Sequence, residues 1–101
     1  MLKKQFLKKQ PICKVTFKVP ADQVQEAEKV SLLGEFNNWN SEEAIEMKKL
    51  KDGSFKTVVS LDAGKEYEFR YLVNGTDWLN DEEADKYVST PFGTENCVVV
   101  A

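Results

Sequence analysis

Val30-Ser31-Leu32-Leu33-Gly34-Glu35-Phe36-Asn37-Asn38-Trp39-Asn40 is a short apolar run that ends in a glycine, a phenylalanine, two asparagines and a tryptophan. The apolar residues read as a buried strand. Gly34 and the paired asparagines tolerate tight or left-handed backbone, so the chain is predicted to turn sharply here. Phe36 drops back onto the core, and Trp39 is thrown out on the turn. A large aromatic in a polar turn either plugs the end of a core or offers a flat face to a ligand.

Outward from this stretch, short alternating segments dominate. Residues 12–19 send Cys13, Val15, Phe17 and Val19 one way and Lys14, Thr16 and Lys18 the other, the period of a half-buried strand. Pro20 ends it, and residues 21–29 read as a polar loop or a single helical turn. Ile45 and Met47 restart a period-two pattern toward Leu50. Asp52-Gly53 predicts a two-residue hairpin of type I′, which needs positive φ at both centres. In residues 54–61, Phe55, Thr57, Val59 and Leu61 share a face. Residues 65–73 form the clearest strand, with Tyr67, Phe69, Tyr71 and Val73 inward and Glu66, Glu68 and Arg70 outward. Asn74-Gly75 predicts another hairpin, and Trp78 follows at once. Residues 80–87 read as a short helical turn capped by Asn80, with Glu83 three residues on. Cys97 to Val100 is a last apolar strand. Short strands with turn signals about every 8–12 residues predict an all-β antiparallel sandwich of about seven or eight strands. Its expected core is Phe17, Leu32, Phe36, Phe55, Val59, Tyr67, Phe69, Tyr71 and Val99.

At 101 residues the chain is predicted to hold one domain over residues 12–101, preceded by a basic arm over residues 1–11. Lys3, Lys4, Lys8 and Lys9 carry the arm's charge, and Leu2, Phe6 and Leu7 read as the apolar edge of a short helix. The arm is expected to dock Phe6 or Leu7 on its own domain with its lysines solvated. A net charge of −3 argues against a nucleic-acid partner, which needs a basic face. No apolar run reaches the roughly 18 residues of a membrane span, and no secretory leader is evident. Cys13 and Cys97 make no disulfide framework and read as buried free thiols, so the expected compartment is the cytoplasm.

The chain contains no histidine, which removes the commonest general base and zinc ligand and every Ser-His or Cys-His arrangement. Asp77, Asp81, Glu82, Glu83 and Asp85 form an acidic cluster, yet sugar-cleaving carboxylates must face each other across a cleft, and EF-hand spacing is absent. The expectation is a solvated loop, no catalytic residue, no metal and no cofactor. Trp39 and Trp78 both sit in polar turns. Indole planes suit the apolar face of a pyranose, while Arg70, Asn37, Asn38 and Asn96 suit its hydroxyl rim. The competing reading has both indoles capping the sandwich, with Arg70 paired to Glu66 or Glu68. Local pattern supports the two equally.

Gly34-Glu35-Phe36-Asn37-Asn38-Trp39 resembles the Gly-x-Phe-Asn-x-Trp signature of the glycogen- and starch-binding modules. These stand at the amino terminus of isoamylase-type branching and debranching enzymes and in the beta subunit of AMP-activated protein kinase. The resemblance continues through Met47, Asp52-Gly53-Ser54-Phe55, Tyr67 to Gly75, Trp78 and Phe92-Gly93-Thr94-Glu95-Asn96. It implies an immunoglobulin-like early-set sandwich that binds α-glucan polysaccharide or oligosaccharide without catalysis. It further implies glucose stacking on Trp39 and Trp78, hydroxyl contacts from Arg70 and Asn96, and Phe92 and Thr94 at the edge. Two departures stand out: Arg70 replaces the lysine common in the kinase-type modules, and Phe92 is bulkier than the leucine often found there. The family context also implies a protein partner, either a glycogen-metabolism enzyme or a kinase-like complex. A protein-interaction domain using the sheet surface or the lysine-rich arm is the alternative reading.

Overall fold

The computed structural model describes residues 2–7, 9–25 and 27–101, with the side chain of Ser41 outside that description; Lys8 of the basic arm therefore lies outside the described residues. Two antiparallel sheets face each other and make an immunoglobulin-like β-sandwich. The first contains β1 (Leu2–Phe6), β2 (Ile12–Val19), β5 (Lys48–Lys49) and β6 (Phe55–Asp62), in the spatial order β1-β2-β6-β5. The second contains β3 (Val30–Gly34), β4 (Ile45–Glu46), β7 (Glu66–Val73), β9 (Lys86–Ser89) and β10 (Glu95–Val100), in the order β4-β3-β7-β10-β9. A short β8 (Asp77–Leu79) pairs with β7 as well. Among the described residues there is no α-helix, only 3-10 turns.

The inward positions of the alternating pattern form the core. Phe17, Leu32, Phe55, Phe69, Tyr71 and Val99 are buried, and Phe36, Val59 and Tyr67 are partly buried and packed against them. Phe17 meets Phe69 edge-on with ring centroids 5.0 Å apart, and Phe69 meets Tyr71 at 5.7 Å. Cys13 and Cys97 are both buried and free.

Four local expectations are corrected. Residues 2–6 extend the first sheet as a strand instead of forming a helix edge, because Leu2 packs on the core while Lys4 reaches the Asp85 carboxylate at 2.6 Å. Of the two residues expected to dock, Phe6 is 58% exposed, while Leu7 is half-buried with its amide donating to Ile12 O. The Ile45–Leu50 segment changes sheets partway: β4 pairs with β3, β5 pairs with β6, and the buried Met47 lies between, its N–H donating to Val30 O. At Asp52-Gly53 only Gly53 has positive φ. The turn runs from Leu50 to Ser54, and Asp52 accepts from the Ser54 amide and hydroxyl.

The fourth correction concerns residues 80–87, which form no helical turn. Asp81 is 2% exposed, not solvated. Its carboxylate accepts from Tyr71 Oη at 2.7 Å and from the Glu83 amide, its own amide donates to Cys97 Sγ, and its carbonyl accepts from Tyr87 Oη. Hydrophobic alternation cannot reveal such a residue, because the partners that make its burial tolerable come from other strands. Burial, reinforced by the Asp81 carboxylate, pushes the Tyr71 hydroxyl far above the ordinary tyrosine range. Burial likewise pushes the Cys97 thiol up to about 11. This cluster lies directly after β8 and ties it to β7 and β10.

Candidate functional site

Strand β7 presents the site. Its inward residues are core aromatics, so the intervening Glu68 and Arg70 necessarily face out, next to the β10 residue Asn96. Arg70 Nε donates to Asn80 Oδ1 at 2.8 Å, and its guanidinium lies over the Trp78 ring, 5.4 Å from the centroid. Asn80 is itself held, its Nδ2 donating to Glu95 O at 2.9 Å. Asn96 Nδ2 donates to Glu68 Oε1 at 3.1 Å. Neither Glu66 nor Glu68 pairs with Arg70: Glu66 binds Lys86, and Glu68 binds Asn96.

The 34–40 turn brings Trp39 to the same surface. Gly34 is extended rather than left-handed; it is required because a Cβ there would stand 2.5 Å from Glu68 O of the adjoining strand. The left-handed residues are Asn38 and Trp39 themselves, both with φ of 56°. Such a conformation costs a bulky L-residue on the order of 1–3 kcal/mol and persists only where its surroundings over-determine it. Asn37 supplies much of that constraint. It is buried, its Oδ1 accepts from the Gly34 amide, and its Nδ2 donates to Leu32 O and Glu43 O. Trp39 N donates to Gly34 O. Asn37 is therefore the frame of the turn and not part of a hydroxyl-binding rim.

Trp78 arrives from the opposite side. Asn74 and Gly75 both have positive φ, closing the β7–β8 hairpin, and Asn74 Oδ1 accepts from the Glu28 and Lys29 amides. The two indoles meet edge-on at 6.4 Å, and Trp78 stays 46% exposed. They stand outside the core cluster, so they do not cap it. The 90–94 turn completes the outline. Thr90 N donates to Thr94 O, their hydroxyls lie 2.8 Å apart, and Phe92 projects from the tip, 89% exposed.

An open cavity of about 550 Å³ lies between these parts, lined by Trp39, Trp78, Arg70, Asn96, Phe92 and Thr94 together with Glu68, Ser89, Thr90 and Pro91. Trp39, Arg70, Trp78, Phe92, Thr94 and Asn96 thus meet at one place, whereas Asn37 and Asn38, the other two rim candidates, do not line it. Glu68, Ser89, Thr90 and Pro91, which also line the cavity, and Asn80, which holds Arg70, were not singled out. Glu68 had a signal, since it shares Arg70's outward face. Asn80 had a misleading one, since its spacing to Glu83 matched a helix cap. Among the described residues no group of three or more His, Cys, Asp or Glu side chains is arranged to hold a metal ion.

Residues 19–101 match the family described as the glycogen recognition site of AMP-activated protein kinase. The chain belongs to this family. Comparison with curated proteins returned no match. The glycogen-recognition match spans everything from the end of β2 onward, so it includes every element that lines the cavity.

Proposed function

We propose that this chain is a non-catalytic α-glucan-binding module whose sugar stacks on Trp39 and Trp78, with hydroxyl contacts from Arg70 and Asn96 and with Phe92 and Thr94 at the edge. The observation that carries the reading is a pair of indoles left on the surface beside fixed polar groups. Trp78 is nearly half exposed, and hydrogen bonding in the surrounding turns holds Arg70 and the 34–40 turn in place. Indole area left wet is unfavourable for folding and is useful when an apolar ligand face covers it. The rim offers both signs of hydrogen bonding, donors from Arg70 and Asn96 and an acceptor from Glu68, and a hydroxyl needs both.

An open surface of this kind gives weak binding, roughly micromolar to millimolar in Kd, or about −8 to −4 kcal/mol. Titration with maltoheptaose or β-cyclodextrin, followed by tryptophan fluorescence, should give a saturable change. Trp39→Ala and Trp78→Ala should each remove it while both variants stay folded. An intact protein that leaves every α-glucan unbound would overturn the proposal and favour a protein-interaction role.

A further inference from the structure

Arg70 is the only arginine in the chain, and its guanidinium is held on two sides. Asn80 Oδ1 accepts the Nε proton at 2.8 Å, and the guanidinium carbon lies over the Trp78 ring, 5.4 Å from its centroid. Asn80 is in turn tied to the β10 backbone at Glu95 O, and it does not itself line the cavity. A guanidinium carries five N–H groups in a rigid fork. With Nε committed to Asn80 and the guanidinium within cation–π range of the indole, what remains for a ligand is the pair of terminal nitrogens.

We propose that Asn80 is a positioning residue for ligand binding: it locks Arg70 so that the terminal guanidinium nitrogens are presented to the ligand already oriented. This rests on the α-glucan reading above and deepens it. A long side chain that must be ordered at the moment of binding weakens affinity, and Asn80 removes that cost in advance. The same geometry accounts for arginine at this position. A lysine ammonium has no separate Nε–H to give to Asn80, so it would spend one of its ligand donors on the asparagine or remain mobile. Arg70 and Asn80 therefore function as one unit.

The test has two arms. In the first, the single arginine Nε–H signal is followed by heteronuclear NMR without ligand. It should be protected from solvent exchange in the parent and lose that protection in Asn80→Ala. An unprotected signal in the parent would overturn the proposal whatever the ligand. In the second, maltoheptaose affinity is measured for Asn80→Ala, Asn80→Asp, Arg70→Lys and the double variant Asn80→Ala/Arg70→Lys. Asn80→Ala should bind about 5–30-fold more weakly with Tm nearly unchanged, and the double variant should be no weaker than the poorer single one. Asn80→Asp keeps the acceptor for Nε and loses the donor to Glu95 O, so it should stay within a few-fold of the parent. If Asn80 only braces the loop, Asn80→Asp will fail as badly as Asn80→Ala, and the losses in the double variant will add; either result overturns the proposal. A parent that binds maltoheptaose no better than Asn80→Ala overturns it alone, whereas a parent that binds no glucan overturns the function and this inference together.

Discussion

The molecule holds two aromatic clusters of similar geometry and opposite fate. Inside, Phe17, Phe69 and Tyr71 meet edge-on at 5.0 and 5.7 Å and are at most 1% exposed. Outside, Trp39 and Trp78 meet edge-on at 6.4 Å, with Trp78 46% exposed. Only one sheet thickness separates them, because Phe69 and Arg70 are consecutive residues of β7. The inner cluster is placed by alternation and by the hydrophobic effect. The outer one is placed by turns, at the expense of a left-handed tryptophan, and by hydrogen bonds such as those of Asn37 and Asn80. What differs is the source of each cluster's order: burial for the first, backbone constraint for the second.

The two clusters should part most widely in Phe69→Ala and Trp78→Ala. Truncating the buried ring should cost about 3–5 kcal/mol of stability in chemical denaturation. Trp78→Ala should shift the midpoint far less, because half of its ring is already wet. Equal destabilisation by the two variants would mean that the outer pair is simply more core.

Next in size is alkaline pH, which sharpens the inner side. The Cys97 thiol ordinarily ionises near 9.0 and in the folded protein only at about 11, because burial disfavours the thiolate. The unfolded chain therefore ionises first. Stability complete below pH 9 should fall as pH rises from about 9 to 11, by up to about 2–3 kcal/mol. The Tyr71 hydroxyl, raised by burial and by Asp81, adds loss of the same sign at the upper end. Denaturation midpoints measured across this range should fall less steeply in Cys97→Ala, which has no thiol to ionise, than in the parent. Parallel curves would show that the thiol is not held out of water.

The smallest effect probes the outer side. Trp39 sits at φ of 56°, where glycine rests without strain. Trp39→Gly should therefore be more stable than Trp39→Ala by about 1 kcal/mol in chemical denaturation, although neither retains the indole. If alanine proves the more stable, the left-handed turn is not maintained in solution and Trp39 is not held in place for a ligand.

The sequence by itself determined the sandwich and one face of the site. Alternation in β2, β6 and β7 requires half-buried strands, and with Tyr67, Phe69 and Tyr71 inward, Arg70 can only face out. Turn chemistry placed both tryptophans, and the family resemblance assigned roles that no local pattern could distinguish from end caps. Where each turn residue bends was less legible. Asn37 looked like a surface amide and is the buried frame of its turn, while Gly34 is needed for the approach of β7 and not for its own dihedral angles. Tertiary structure alone decided the contacts whose two halves are far apart in the chain. Asp81 can be buried only because Tyr71 and Cys97 arrive from two other strands, and Asn80 meets Arg70 only because β8 folds back along β7. Hydrophobic period and turn propensity are properties of neighbours along the chain, whereas a polar partner across a sheet exists only once the strands are in register.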